Sequence, residues 1–188
     1  MATVSPSRPR RRATVRDLYR VEGKAELVNG RIVHLSPTGH RPHRIADNIF
    51  VSLRTFEQVT RLGVAYSDNV AFLCDLPNRG SFAPDTSYYT GPLPANLDDF
   101  LPASPDFAVE VRSKGDYGPA AEKEMKAKRR DYFDAGTKVV WDVDPKKKTV
   151  AVYRASNPNR PTIYLVGQVA EAEPALVGWR MAVDEIFT

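Results

Sequence analysis

The sequence predicts an α/β protein built around a mixed β-sheet, flanked by helices and fed by β-hairpins. Three observations carry that prediction. Asn29-Gly30 separates two apolar-rich runs, the strongest short hairpin signal, since a type I′ turn needs positive φ at both central residues. The stretch His40–Leu62 repeats apolar residues at helical spacing. A β-prone run at Pro105–Ser113 is followed by an amphipathic helix and a second β-prone run at Lys138–Val143, the pattern of a crossover connection. At 188 residues the chain suits a single domain over 14–188 behind a tail at 1–13.

Taken in order, Met1–Ala13 is rich in Pro, Ser and Arg and lacks periodicity, so disorder is expected there. Arg8, Arg10, Arg11 and Arg12 account for the whole net charge of +4, which leaves the remaining chain near neutral. Such a tail fits a solvated leader and a phosphate-holding arm equally well. Thr14–Tyr19 reads as a short helix with Thr14 as N-cap and Asp17 at N3. Strands at Lys24–Val28 and Arg31–Leu35 follow, in a register that sets Glu26 opposite Val33. In the next helix Ile45, Ile49, Leu53 and Phe56 form one face, and Gly63 is expected to end it.

Val64–Tyr66 and Val70–Cys74 read as strands, Asp75–Ser81 as a loop, and Phe82–Tyr89 as another strand. Thr90–Ser104 is a Pro- and Asp-rich surface segment. After Pro105–Ser113 comes the helix Pro119–Ala135, and Lys138–Val143 pairs with Thr149–Arg154 around a solvated lysine tip at 146–148. Arg160–Val166 and a short element near Val183–Phe187 close the chain. Trp141 and Trp179 read as core packing, and Cys74 as a small buried hydrophobe.

Composition excludes several classes. No run approaches the roughly 18 apolar residues of a membrane span, and the N-terminus lacks the apolar core of a signal peptide. A lone cysteine forms no internal disulfide and fits a reducing compartment, so the cytoplasm is expected. There is no P-loop or dinucleotide fingerprint, no serine with a supporting His and acid, and too few Cys and His for a zinc centre.

The chemistry gathers on PDFAVEVRS. Alternation puts Phe107, Val109 and Val111 on one face of this strand and Asp106, Ala108, Glu110 and Arg112 on the other. A carboxylate inside such a strand costs free energy unless a cation or metal pairs with it. Asp85, at another Pro-Asp strand start, is a second acid that can converge on Glu110 to form a hard, oxygen-rich site suited to Mg²⁺ or Mn²⁺. Spacing alone favours a plainer arrangement, a solvated Asp85 and a Glu110–Arg112 pair. On the helix, Lys128 falls within the apolar stripe of Ala121, Met125, Tyr132 and Ala135, so it needs an acidic partner, either the sheet carboxylates or Glu124 one turn back.

The ordered set ELVNGRIVHLSP, His43 at a helix start, APDTSYY, PDFAVEVRS, Lys128 before YFDAG, and VVWDVDP leading into TVAVYR closely resembles the Uma family of restriction-endonuclease-like proteins, members of the PD-(D/E)xK nuclease superfamily. The resemblance spans about residues 14–188. It implies a restriction-endonuclease-like core and hydrolysis of DNA phosphodiester bonds through a metal-activated water. It also implies Mg²⁺ or Mn²⁺ on Asp85 and Glu110, with the Val111 carbonyl and Glu26 as further ligands, and a cation that stabilises charge in the transition state. Where the superfamily places a lysine two residues after the acid, this chain has Arg112, which cannot serve as a base. Lys128 is therefore the expected substitute, and His43 is carried over with them. By the same analogy two copies pair to cut two strands. The alternative is a catalytically inactive binding or assembly module on this fold, which the near-neutral body favours; RNA or another phosphate ester is a further candidate substrate.

Overall fold

Asn29 and Gly30 adopt φ of 52° and 68°, and the hairpin they close is the first sheet element of the chain. It joins β1 (Ala25–Val28) to β2 (Arg31–His34), with Glu26 facing Val33 as the turn type dictates. These features come from a computed structural model in which residues 11–188 are described. Of the basic tail expected at 1–13, residues 1–10 lie outside the described residues. Ala13 donates its N–H to the Gly30 carbonyl at 2.8 Å. The short helix α1 (Val15–Leu18) opens with the expected Thr14–Asp17 box: the Asp17 carboxylate accepts from the Thr14 N–H and hydroxyl, each at 2.8 Å.

Helix α2 (His40–Thr60) buries Ile45, Ile49 and Leu53 of the stripe read from the sequence, with Ala46 beside them and Phe56 partly buried at the edge. Its stop is not Gly63. Arg61 takes the left-handed conformation at φ 56° and returns its N–H to the Glu57 carbonyl at 2.8 Å. Gly63 serves a different need, since a Cβ there would sit 2.5 Å from the Tyr89 carbonyl oxygen.

The next segment departs from expectation twice. Residues 75–81 are no loop: β4 (Phe72–Leu76) and β5 (Arg79–Phe82) form a hairpin turning at Pro77-Asn78. The polar Pro-Asn-Arg-Gly run suggested exposure, but the Arg79 side chain turns inward and is buried. The strand expected at Phe82–Tyr89 is broken at Ala83–Asp85, where the chain leaves one sheet and enters another as β6 (Thr86–Tyr89). Pro84 has no N–H to give a ladder, which suits a crossing point.

Strands β1, β2, β4 and β5 form a four-stranded sheet in the order β2-β1-β5-β4. A six-stranded sheet runs β10-β9-β8-β7-β6-β3, with β3 (Val64–Tyr66), β7 (Phe107–Val111), β8 (Val139–Asp144), β9 (Thr149–Arg154) and β10 (Asn157–Leu165). Strand β7 is antiparallel to β6 and parallel to β8, and α3 (Pro119–Asp134) makes the crossover between β7 and β8. The sheet is mixed, as predicted. A two-stranded ribbon of β11 (Val169–Glu171) and β12 (Arg180–Ala182), too short to leave a pattern, precedes the closing helix α4 (Val183–Ile186).

Pleating divides the six-stranded sheet into two environments. Phe107, Val109 and Val111 join Trp141, Trp179 and the buried face of α2 in the larger core. Ala108 and Val140 face the other way, onto Phe72, Phe82 and Tyr132 between this sheet, β4, β5 and α3. Glu110 lies on this second, smaller side, at the rim of that core. No helix among the described residues is long and apolar enough to cross a membrane.

Candidate active site

Five segments bring charge to one place beside β7. β1 contributes Glu26, with Lys24 just before it; β5 contributes Arg79; the break before β6 contributes Asp85; β7 contributes Glu110. Helix α3 contributes Lys128, Asp131 and Tyr132, whose i, i+3, i+4 spacing puts them on one face. That face docks on the sheet because Tyr132 stacks on Phe82, ring centroids 4.1 Å apart.

Lys128 is the hub. Its Nζ lies 2.7 Å from Glu110 Oε1 and 2.9 Å from Glu26 Oε1, so one ammonium bridges acids from two different sheets. The alternative partner Glu124 is not used. Burial works to strip Lys128 of its proton, but Glu110 and Glu26 outweigh it and hold its pKa above the ordinary lysine range. At Glu110 burial wins: reinforced by repulsion from Asp85 and Glu26, it raises the pKa despite Lys128. Burial also presses on Glu26, yet Lys128 and Arg79 beside it keep its pKa below the ordinary glutamate value.

The remaining contacts fix these groups in place. Arg79 donates from Nη1 to Glu26 Oε2 at 2.6 Å and from Nε to Asp131 Oδ2 at 2.9 Å, locking β5 to β1 and α3 through a buried network. The Ala83 N–H donates to Glu26 Oε1 at 3.0 Å. The Tyr132 hydroxyl donates to Glu110 Oε1 at 2.7 Å, and burial beside that carboxylate raises the phenol's own pKa well above normal. Asp85 accepts the Val111 N–H on Oδ2 at 2.8 Å and the Lys24 ammonium on Oδ1 at 2.7 Å; Lys24 also reaches Asp68 at 2.6 Å.

The arrangement is charge-unbalanced. Glu26, Asp68, Asp85, Glu110 and Asp131 are five carboxylates against three cations, Lys24, Arg79 and Lys128. Among the described residues, no three His, Cys, Asp or Glu side chains stand together as a ready-made metal cluster. The donors are hard oxygens with excess negative charge, and ammonium groups occupy the positions between them. That chemistry fits a divalent cation of the Mg²⁺ type.

Residues 13–184 match the Uma2 family, described as "Putative restriction endonuclease". The chain belongs to the Uma2 family. Among solved structures it resembles a crystal structure described as a putative nuclease belonging to DUF820 from Anabaena variabilis. The TM-score is 0.73 at 16% identity, covering 93% of this chain and 97% of that one. That likeness shows a shared fold. No curated protein matches the chain.

Of the residues singled out in this Uma2 sequence, Glu26, Asp85, Glu110 and Lys128 converge, and Val111 reaches Asp85 through its N–H. Arg112 and His43 do not. Arg112 leaves the cluster because β7 and β8 run parallel with Glu110 beside Asp142, and Arg112 forks onto that aspartate: Nε to Oδ1 at 2.7 Å and Nη2 to Oδ2 at 2.9 Å. Glu122 pairs with it from α3. Arg129 of α3 is buried and joins the same aspartate, 2.9 Å from Asp142 Oδ2. His43 is exposed on α2, which packs on the opposite side of the six-stranded sheet, and its neighbour is Asp47 at 3.5 Å. Burial pushes the Cys74 thiol up to about 12, which removes it as a nucleophile.

Lys24, Asp68, Arg79 and Asp131 were missed by sequence reasoning. Lys24 did leave a signal, since it sits two residues from Glu26 and period-2 alternation puts both on one face. Arg79 left none, because its run carries the composition of a loop. A concavity of about 700 Å³ between α2 and β12 contains none of the cluster residues.

Proposed function

We propose that this Uma2 protein is a divalent-metal-dependent endonuclease that hydrolyses DNA phosphodiester bonds. The observation that supports it best is the Lys128 ammonium held between Glu26 and Glu110, next to an Asp85 fixed by the Val111 N–H. Acids and a lysine gathered at one point are groups that metal-assisted phosphodiester hydrolysis can use.

Asp85 and Glu110 would hold Mg²⁺ or Mn²⁺, with Glu26 and the Val111 carbonyl as further oxygen donors. When bound, the ion would lower the pKa of a water and offset charge on the phosphoryl oxygens. Everything else falls to the chain. Lys128 is protonated at neutral pH, so it acts as a fixed positive charge toward the phosphoryl group rather than as a base. Tyr132 keeps the Glu110 carboxylate in one orientation, and Arg79 does the same for Glu26. In the overall reaction a water oxygen bonds to phosphorus, the bridging P–O bond breaks, and the released oxygen takes up a proton. Two copies of the chain would supply two such sites for a duplex, and the lone thiol fits action in the cytoplasm.

Relaxation of supercoiled plasmid in Mg²⁺ or Mn²⁺ tests the reading. Asp85→Ala and Glu110→Ala are each expected to abolish cleavage while leaving the circular dichroism spectrum unchanged. Cleavage that survives both substitutions would overturn the site assignment.

A second reading, a non-catalytic binding or assembly module, is favoured by one observation: Glu26, Asp85 and Glu110 already have lysine partners. Mn²⁺ titrated into the full chain separates the two. The absence of any binding heat, with no change on Glu110→Gln, would support the module.

A further inference from the structure

We propose that Lys24 is a built-in competitor for the cation at Asp85, and that Asp68 is the carboxylate that keeps the displaced ammonium at the site. The proposal rests on the metal-site reading above and assigns a role to two residues which that reading does not use.

The argument begins with the two oxygens of Asp85. Oδ2 is committed to the Val111 N–H at 2.8 Å, a donor held in place by the β7 backbone. Oδ1 is therefore the oxygen open to an incoming cation, and it is the one Lys24 takes at 2.7 Å. On Glu110 both the Lys128 and Tyr132 contacts are made by Oε1, which leaves Oε2 as the oxygen for that cation. An ion approaching Asp85 Oδ1 and Glu110 Oε2 thus meets the Lys24 ammonium first.

Lys24 has somewhere to go. Its Nζ is also 2.6 Å from Asp68 Oδ1, on the connection between β3 and β4. The three side chains form a graded series: Lys24 is 14% exposed, Asp85 15% and Asp68 29%. Asp68 is the outermost and contacts none of Glu26, Glu110 or Lys128 in the structure, so it can retain the ammonium without claiming the inner site. A lysine this enclosed requires a carboxylate partner, and two from different segments allow it to exchange one without losing both.

The exchange selects for divalent ions. A monovalent ion offers Asp85 the same charge as the ammonium but none of its N–H donors, so it gains nothing by displacing it. A divalent ion would offer twice the charge, and Asp85 and Glu110 would hold it together. Lys24 and Asp68 are then positioning residues that set metal affinity.

Calorimetric titration of Mn²⁺ into the full-length chain tests this, with melting temperatures confirming that each variant is folded. Lys24→Met is expected to bind Mn²⁺ more tightly than wild type by about tenfold or more, the scale of one near-surface charge pair. Asp68→Asn is expected to bind it several-fold more weakly, because Lys24 then depends on Asp85 alone. The double variant is expected to match Lys24→Met, since Asp68 acts only through Lys24. Lys24→Gln keeps a polar tip and gives the same sign if the methionine variant does not fold. Lys24 variants that bind Mn²⁺ no more tightly than wild type, while Glu110→Ala loses binding, would overturn this proposal and leave the metal site standing. Wild-type protein that binds no Mn²⁺ would overturn both.

Discussion

Tyr132 and Lys128, one turn apart on α3, meet the same atom of Glu110: hydroxyl and ammonium each lie 2.7 Å from Oε1. Two donors on one oxygen favour the charged form of a carboxylate that burial and its acidic neighbours disfavour. The balance is incomplete, and the pKa of Glu110 stays above the ordinary glutamate value.

That sign sets a pH dependence. A group that binds its proton more tightly in the folded state contributes stability below its unfolded pKa and loses it as pH rises through the folded value. Ionised Glu110 is therefore a cost at neutral pH. Glu110→Gln should melt higher than wild type at pH 7–8, with the difference vanishing toward pH 4. About 1 kcal/mol would appear as about 2–4 °C in a chain of this size. A melting temperature unchanged or lowered across that range would contradict the raised pKa. Glu26 has the opposite sign: its lowered pKa contributes stability above the ordinary glutamate value, lost as pH falls through the folded one.

Arg79 offers a test of packing rather than titration. Arg79→Met leaves the Asp131 carboxylate with the Asn78 amide but no cation, and leaves Glu26 with Lys128 as its one cation beside the Ala83 N–H, all within buried surroundings. Removing one partner of such a network should cost about 3–5 kcal/mol in urea unfolding. Asp131→Asn keeps an acceptor for Arg79 and should cost less. An Arg79→Met loss within about 0.5 kcal/mol, the range of ordinary surface substitutions, would mean the network does not hold the hairpin in place.

Lys128 and Arg112 can be separated as candidates for the catalytic cation. Lys128→Met should lower plasmid cleavage by on the order of 10²-fold or more, the scale of a lost charge-stabilising donor. Arg112→Lys loses the two-pronged contact with Asp142, so stability should fall by about 1–2 kcal/mol while cleavage stays within a few-fold. If the two variants exchanged these phenotypes, Arg112 would be the cation.

Tyr132→Phe preserves the stack on Phe82 and deletes only the hydroxyl. A hydrogen bond to an ionised carboxylate contributes about 1.5–3 kcal/mol, less where water reaches the group. Its loss should raise the Glu110 pKa further, because the donor favours the charged form. Carboxyl-selective NMR titration of Glu110 in both proteins reads this directly; a fall in its pKa would count against the assigned contact.

What could be read in the sequence was whatever local pattern controls. The Asn29-Gly30 turn, the α2 stripe and the inward Lys128 all follow from backbone conformation or helical period, and all occur as read. The β4–β5 hairpin did not show, because Arg79 is buried through partners 52 and 53 residues distant, Asp131 and Glu26, and no local signal reports such a pairing. Arg112 misled for a related reason. Alternation places it on the face of Glu110, but the parallel neighbour β8 supplies Asp142 to take it, and strand order is not written in β7 itself. For Lys24 the period-2 relation to Glu26 was present, but the partner Asp85 became its neighbour only where the chain crosses between sheets.

The crossover α3 also imposes an order of assembly. Within the first 112 residues Glu26 already has Arg79 and Asp85 already has Lys24. Glu110 alone depends on side chains still to come, Lys128 and Tyr132. Of the acids carried by those first 112 residues, the one at the centre of the site is the last to be compensated as the chain leaves the ribosome, and a chain interrupted in the 112–118 connection carries Glu26, Asp68, Asp85 and Glu110 without the hub that joins them.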